Sequence, residues 1–349
     1  MNSDYRVDIE SLLYGYYIKY DKLSELIRTV NCNVGCVDIY IDLYDILKNV
    51  YNTNIHTSKQ LTIVSSIINM AAHYRGFFRY RLGINTRIFL VYGEDITNNH
   101  TQYIREYKEI SRNLDNLNYS KIDSVIKSQL EMVKLLCGYI PDVYYIYRAT
   151  NSAMFIYDNI LSNNSISFII SKSRYMYQIP AMIPNNTYIL RPKKKSGEDI
   201  SYLINHGNSL LYQFDKSNND KLKEFNPTLM SCLLALNGFG SYNLHAKCNI
   251  TVACSLIHQA ILEGKITNGM NPDPAYVYSK LDFSVTRYIS ITDFKFRFMA
   301  IDLSNQYLLY SNMIESKDIT WNINLYDPET VRHIANKYFI DNPLDLNNL

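Results

Sequence analysis

Residues 37–47 read VDIYIDLYDIL. The first six are β-branched, aromatic or acidic and read as a buried strand; LYDIL then carries its apolar residues at helical spacing. A strand that runs straight into a helix opens an α/β unit. It also leaves Asp42 at the strand's carboxyl end, where ligand sites of parallel sheets lie.

The pattern repeats outward from this stretch. SKQLTIVSSIINMAAHYRGFFRYRLG (58–83) reads as a long helix stopped at Gly83, and TRIFLVYG (86–93) as a second apolar strand. Residues 96–137 are polar and charged, with helices around YIREYKEISRN and IDSVIKSQLEMVKLLCG. DVYYIY (142–147), SISFIIS (165–171) and NTYILRP (186–192) read as strands, SAMFIYDNILS (152–162) as a helix, and KKKSGED (193–199) as an exposed turn. Strands that alternate with helices predict a parallel sheet flanked by helices. Upstream, residues 1–30 read as one or two amphipathic helices. Downstream, NNDKLKEFNP (218–227) reads as a polar linker, and the chain beyond about 225 reads as helical almost to its end. The predicted organisation is an N-terminal helical extension (1–30), an α/β domain (31–224) and a helical domain (225–349).

Bulk properties narrow the function classes. The chain has 349 residues, enough for two or three compact units, and 47% hydrophobic with 19% charged residues fits a folded globular protein. A formal net charge of +2 provides no global field for a polyanion, so a nucleic-acid surface would have to be a local patch. The apolar runs are too short to span a membrane, and the polar, acidic start MNSDYRVDIE predicts no signal peptide. Six cysteines without close framework spacing predict reduced intracellular thiols, in a host cytoplasm or virion if the source is viral. Cys32 and Cys36 lack a second ligand pair at zinc spacing, and the seven histidines form none. Heavy use of tyrosine (32 residues), with abundant asparagine and isoleucine, matches the AT-rich coding of many viruses.

The strand ends define a rim: Asp42, Tyr92 and the Ser171–Tyr175 stretch, with Asn151 and Ala153 brought nearby by the helix after 142–147. Asp42 is the one carboxylate at the expected points. Phosphodiester cleavage by two Mg²⁺ ions needs several carboxylates converging on a pair of cations about 4 Å apart.

The order of these pieces resembles the flap-endonuclease or 5′-3′ exonuclease family of PIN-like nucleases, from about Cys36 to about Gly264, with most acidic letters replaced. VDIYIDLYDIL resembles the family's first strand, with its aspartate on Asp42. TRIFLVYGED resembles the second, with Tyr92-Gly93 in place of Asp-Gly. REYKEISRN resembles the start of the helical arch, with Lys108 and Arg112 in place. NSAMFIYDNIL resembles the Glu-Ala-Asp-Asp helix, with Asn151 and Ala153 replacing acids. SFIISKSRYMYQI resembles the strand leading to Asp-Lys-Asp and Gln-Leu: Ser173 and Tyr175 replace the aspartates, while Gln178-Ile179 persist. LALNGFGSYNL resembles the Gly-Asp-x-Ser-Asp-Asn loop before a helix-hairpin-helix, with Phe239 and Tyr242 in the acidic positions. The resemblance implies an α/β, PIN-like parallel-sheet domain followed by a helical helix-hairpin-helix-type domain. It also implies a vestigial site without metal or cofactor.

Other readings remain beside this one. Asp42 is a metal-site remnant or a helix N-cap. A relocated metal site would use Asp38, Asp42, Glu94 and Asp95, and the chain would then be an active 5′ nuclease. Lys108 and Arg112, four apart on one helical face, clamp a phosphate backbone or form a solvated face. Lys193, Lys194, Lys195 and Lys247 are further candidates for DNA contact. Tyr92, Tyr175 and Tyr242 stack on bases or fill a vacated cavity. The favoured expectation is a catalytically inactive, flap-nuclease-like component of a viral or replication complex with a protein partner. Non-cleaving recognition of branched or single-stranded DNA is the alternative, and no membrane partner is expected.

Overall fold

The computed structural model describes residues 14–16, 18–19, 35–43, 47, 62–93, 119–148, 152–163, 165–171, 173–183, 186–192, 201–204, 223–225, 229–238, 246–263, 273–279, 290–304, 307, 319–321, 327–338 and 344. They fall in two compact units. One comprises 1–19, 95–114 and 173–314, the other 20–94, 115–172 and 315–349. The units interleave along the chain, so they do not follow a linear division at 30 and 224. A sheet collects strands from distant segments, and residues 315–349 return to the unit that contains the first parallel strands.

Where N-terminal helices are predicted, the described residues form two short strands, β1 (Tyr14–Tyr16) and β2 (Ile18–Lys19). Tyrosine and isoleucine suit a pleated surface, and Gly15 weakens a helix.

The unit that contains residue 42 is built on β3 (Cys36–Asp42), β4 (Asn85–Gly93), β5 (Val143–Arg148) and β6 (Ser167–Ile170). They lie in the order β5-β4-β3-β6, all parallel, with strand Ile319–Trp321 antiparallel on the outer edge of β5. That edge strand lies in a region predicted helical. Val37, Ile39, Tyr40 and Ile41 are fully buried, as expected of a central parallel strand covered on both faces. The predicted long helix is α1 (Thr62–Gly76), which continues through a π-helical turn, Phe77–Arg81, to Gly83. Gly83 has φ +70°, a conformation that favours glycine. Ile63, Val64, Ile67, Ile68, Ala71 and Ala72 form the buried stripe of α1. Helices α2 (Tyr119–Cys137) and α3 (Ser152–Asn163) follow, as the sequence predicts. α2 anchors α1 through Gln129, whose Oε1 accepts the Ile63 N–H at 3.0 Å.

The other unit contains β7 (Thr187–Pro192), antiparallel to β8 (Ser201–Ile204), which also pairs with β2. β1 pairs with β9 (Lys223–Phe225), so part of the predicted 218–227 linker is a strand. Its helices are α4 (Gln178–Met182), α5 (Met230–Asn237), α6 (Ile250–Leu262), α7 (Pro274–Ser279) and α8 (Ile291–Ile301). Every residue from Met230 to Leu236 is buried, which makes α5 the interior helix of this unit. Gln178 is buried there. Its amide donates to the Ile301 carbonyl (3.1 Å) and accepts the Leu303 N–H (2.9 Å), satisfying backbone groups where α8 ends.

Cys36, Cys137, Cys232 and Cys248 are thiols rather than disulfides. Burial pushes the Cys137 and Cys232 thiols well above their ordinary pKa, which keeps them protonated and unreactive. Among the described residues, no helix is long and apolar enough to cross a membrane.

Candidate functional site

Asp42 closes β3 and is 2% exposed. Its two carboxylate oxygens are held separately. Ser152 Oγ, on the first residue of α3, donates to Oδ1 at 3.1 Å, and Ser171 Oγ, just past β6, donates to Oδ2 at 3.1 Å. One side chain therefore ties the ends of β3 and β6 to the start of α3. Burying a carboxylate is expensive unless its lone pairs are satisfied, and hydroxyl donors on both oxygens meet part of that demand. Ala153, beside Ser152, is fully buried and offers no donor atom.

Tyr92 lies one residue beyond Val91, the register partner of Asp42. It is half-buried, and its ring lies 5.9 Å from that of Tyr147, its register partner on β5, at an interplanar angle of 34°.

Asp38 does not join Asp42. The two are four residues apart on one extended strand, about 13 Å at 3.3 Å per residue. The Asp38 side chain is fully buried and receives a fork from Arg87, Nε to Oδ1 at 2.7 Å and Nη2 to Oδ2 at 2.9 Å. Ser165 Oγ adds a third donor at 2.5 Å. Arg87 is the register partner of Asp38 on β4, so the ion pair is a cross-strand staple. Both Asp38 oxygens are thus engaged by Arg87 and Ser165. Glu94 and Asp95, the other two members of the relocated metal site, lie outside the described residues.

In the other unit, Ser173 N-caps the 3₁₀ turn Arg174–Tyr177, its Oγ accepting the Tyr175 N–H at 3.3 Å. Tyr175 is buried. Beyond α5, Gly238 has φ +82°. The loop's far end is tied back to α5: the Lys247 N–H donates to the Leu236 carbonyl (2.9 Å), and Asn237 Nδ2 donates to the Cys248 carbonyl (3.2 Å). Asn249 then caps α6, its Oδ1 accepting the Val252 N–H at 2.9 Å. Asn151, Phe239, Tyr242, Lys108, Arg112, Lys193, Lys194 and Lys195 lie outside the described residues.

The described residues do not fit a two-metal centre. Among the described residues, the donor set at Asp42 is one carboxylate and two hydroxyls pointed at it, whereas paired hard cations need several converging oxygen anions. Among the described residues, no group of three or more His, Cys, Asp or Glu could hold a metal ion. Ser152 is the site residue that the sequence does not single out, although it lies between Asn151 and Ala153; Ser171 opens the rim stretch 171–175, and the role of both serines follows only once β6 is known to lie next to β3.

No family model matches the chain, and no curated relative matches it in sequence. Solved structures do. The bacteriophage T5 flap endonuclease, in a pseudo-enzyme–product complex with DNA and metal ions, is similar at TM-score 0.47 and 11% identity, over 80% of this chain and 94% of that one. The T5 5′-exonuclease with bound zinc is similar at TM-score 0.46 and 11% identity, over 78% and 90%. The Holliday junction-resolving enzyme GEN1, in complex with product DNA, Mg²⁺ and Mn²⁺, is similar at TM-score 0.43 and 10% identity, over 97% and 72%. These are similarities at 10–11% identity; the α/β architecture itself rests on the parallel strands β5-β4-β3-β6 and the helices between them.

Proposed function

We propose that this chain is a non-cleaving, flap-nuclease-like protein that serves as a binding component of a protein complex, viral or replicative. The observation that carries the reading is the clasp on Asp42. The one described carboxylate at the rim is buried, and each of its oxygens accepts a serine hydroxyl. Ala153 and Tyr92 supply no carboxylate beside it. A carboxylate in this state joins secondary-structure elements; activating water for phosphodiester cleavage needs additional anionic ligands. Fold and chemistry are separable, so a nuclease framework can persist as a scaffold.

The test is incubation of the full chain with flap, nicked and single-stranded DNA in Mg²⁺ or Mn²⁺. No product is expected. Metal-dependent product that disappears in Asp42→Asn would overturn the reading in favour of an active nuclease.

A second reading, non-cleaving recognition of branched or single-stranded DNA, is supported by Lys247, whose backbone is pinned to the end of α5. A lysine on an anchored loop can meet a phosphate with little loss of backbone entropy. Binding whose affinity falls steeply with salt would favour this reading over a protein partner.

A further inference from the structure

A cavity of about 340 Å³ lies between the β4–β5 sheet face and α2, with Tyr92, Tyr145, Tyr147, Lys127, Glu131 and Lys134 in its lining. Local geometry explains the grouping. Tyr92 and Tyr147 are register partners on parallel strands, and Tyr145 is two residues before Tyr147, so the three share one sheet face. Lys127, Glu131 and Lys134 follow the i, i+4, i+7 spacing of one helical face. The aromatic wall is graded: Tyr145 is buried, while Tyr92 and Tyr147 are half-buried with their rings 5.9 Å apart. Lys127 and Glu131 are exposed at the helix side, and Lys134 Nζ lies 3.5 Å from Glu131 Oε2.

We propose that this cavity binds a small aromatic anion: a planar ring with an acidic group, of the size and charge of an aryl phosphate or a nucleoside monophosphate. The volume is at the lower end of the range for small-molecule pockets, about 300–1,000 Å³, and suits one ring system. Tyrosine faces supply a stacking wall that tolerates different rings. Among the described lining residues, two ammonium groups against one carboxylate leave a net positive side, which favours an anion. Burial raises the pKa of the Tyr145 phenol, which therefore stays protonated and able to donate. Tyr92 belongs to the strand-end rim as well, but the proposal does not depend on Asp42 or on the absence of cleavage.

The experiment is a calorimetric titration of the full chain with phenyl phosphate and adenosine 5′-monophosphate, with inorganic phosphate and adenosine as controls. Saturable binding is expected for both probes, with Kd at or below about 1 mM, and each control should bind about tenfold more weakly or worse. Tyr147→Leu, which keeps apolar volume, should weaken the probes about tenfold. Lys127→Met, which keeps the apolar stem, should weaken them about threefold. Glu131→Gln should tighten them, because it removes the negative charge beside Lys134. Circular dichroism checks that each variant is folded. The proposal is overturned if neither probe saturates, if inorganic phosphate binds as well as phenyl phosphate, or if folded Lys127→Met and Glu131→Gln both bind like the parent chain.

Discussion

Strand β3 carries two buried aspartates that have been resolved in different ways. Asp38, near the start, is neutralised by a guanidinium fork and a serine hydroxyl. Asp42, at the end, is clasped by two serine hydroxyls from α3 and the segment after β6. Asp38 is a charge balanced by a charge within the sheet, an arrangement that any parallel strand pair can use. Asp42 stands where parallel sheets place ligands, yet its lone pairs are turned toward the protein's own hydroxyls. The difference teaches that a carboxylate's position on a strand does not settle its role; the donors that meet its oxygens do.

Mutation can break that contrast. The largest effect is expected from Arg87→Ala, which strands a fully buried carboxylate. Loss of one partner of a buried pair costs about 3–5 kcal/mol, and the 41% exposure of the Arg87 side chain places this case near the lower end, about 3 kcal/mol. Urea unfolding checks it, and a loss smaller than that of either serine variant would reverse the ranking of the two sites. Ser171→Ala should cost about 2 kcal/mol, because it removes a hydrogen bond to a buried charged group. Combined with Ser152→Ala, the loss should depart from additivity, since both hydroxyls serve one carboxylate. A double-mutant cycle with no coupling would mean that the clasp is not a unit. Asp42→Asn keeps the shape and one acceptor oxygen, and should cost about 1 kcal/mol. The smallest effect concerns the second reading of function: if DNA binds, Lys247→Ala should reduce the slope of log K against log salt by about one. An unchanged slope would remove Lys247 from the interface.

The sequence made the parallel strands legible because buried parallel strands are continuous apolar runs. VDIYID, TRIFLVYG and SFII show this directly, and Gly83 marks the end of the first long helix. The short antiparallel strands Tyr14–Tyr16, Ile18–Lys19, Ser201–Ile204, Lys223–Phe225 and Ile319–Trp321 were not legible. Runs of two to four residues carry too little periodicity, and their identity comes from partners far along the chain: Tyr14 pairs with Phe225, and Thr320 with Ile146. The same limit governs the site. Asp42 could be read as a strand end, but its clasp joins residues 110 and 129 positions apart. The staple from Arg87 to Asp38 depends on strand register, which local sequence does not express. The cavity lined by Tyr92 and Tyr147 likewise needs the register of β4 on β5.

The central claim is that Asp42 is a structural carboxylate in this fold and not a metal ligand. The most direct test is thermal unfolding of the full chain with and without Mn²⁺, run in parallel with Asp42→Asn. A native-state ligand at a hundredfold excess over its Kd stabilises by about 2.7 kcal/mol, a shift of a few degrees in Tm for a chain of this size. The account predicts the same Tm with and without Mn²⁺ in the parent chain. A Mn²⁺-dependent rise of several degrees that vanishes in Asp42→Asn would contradict it.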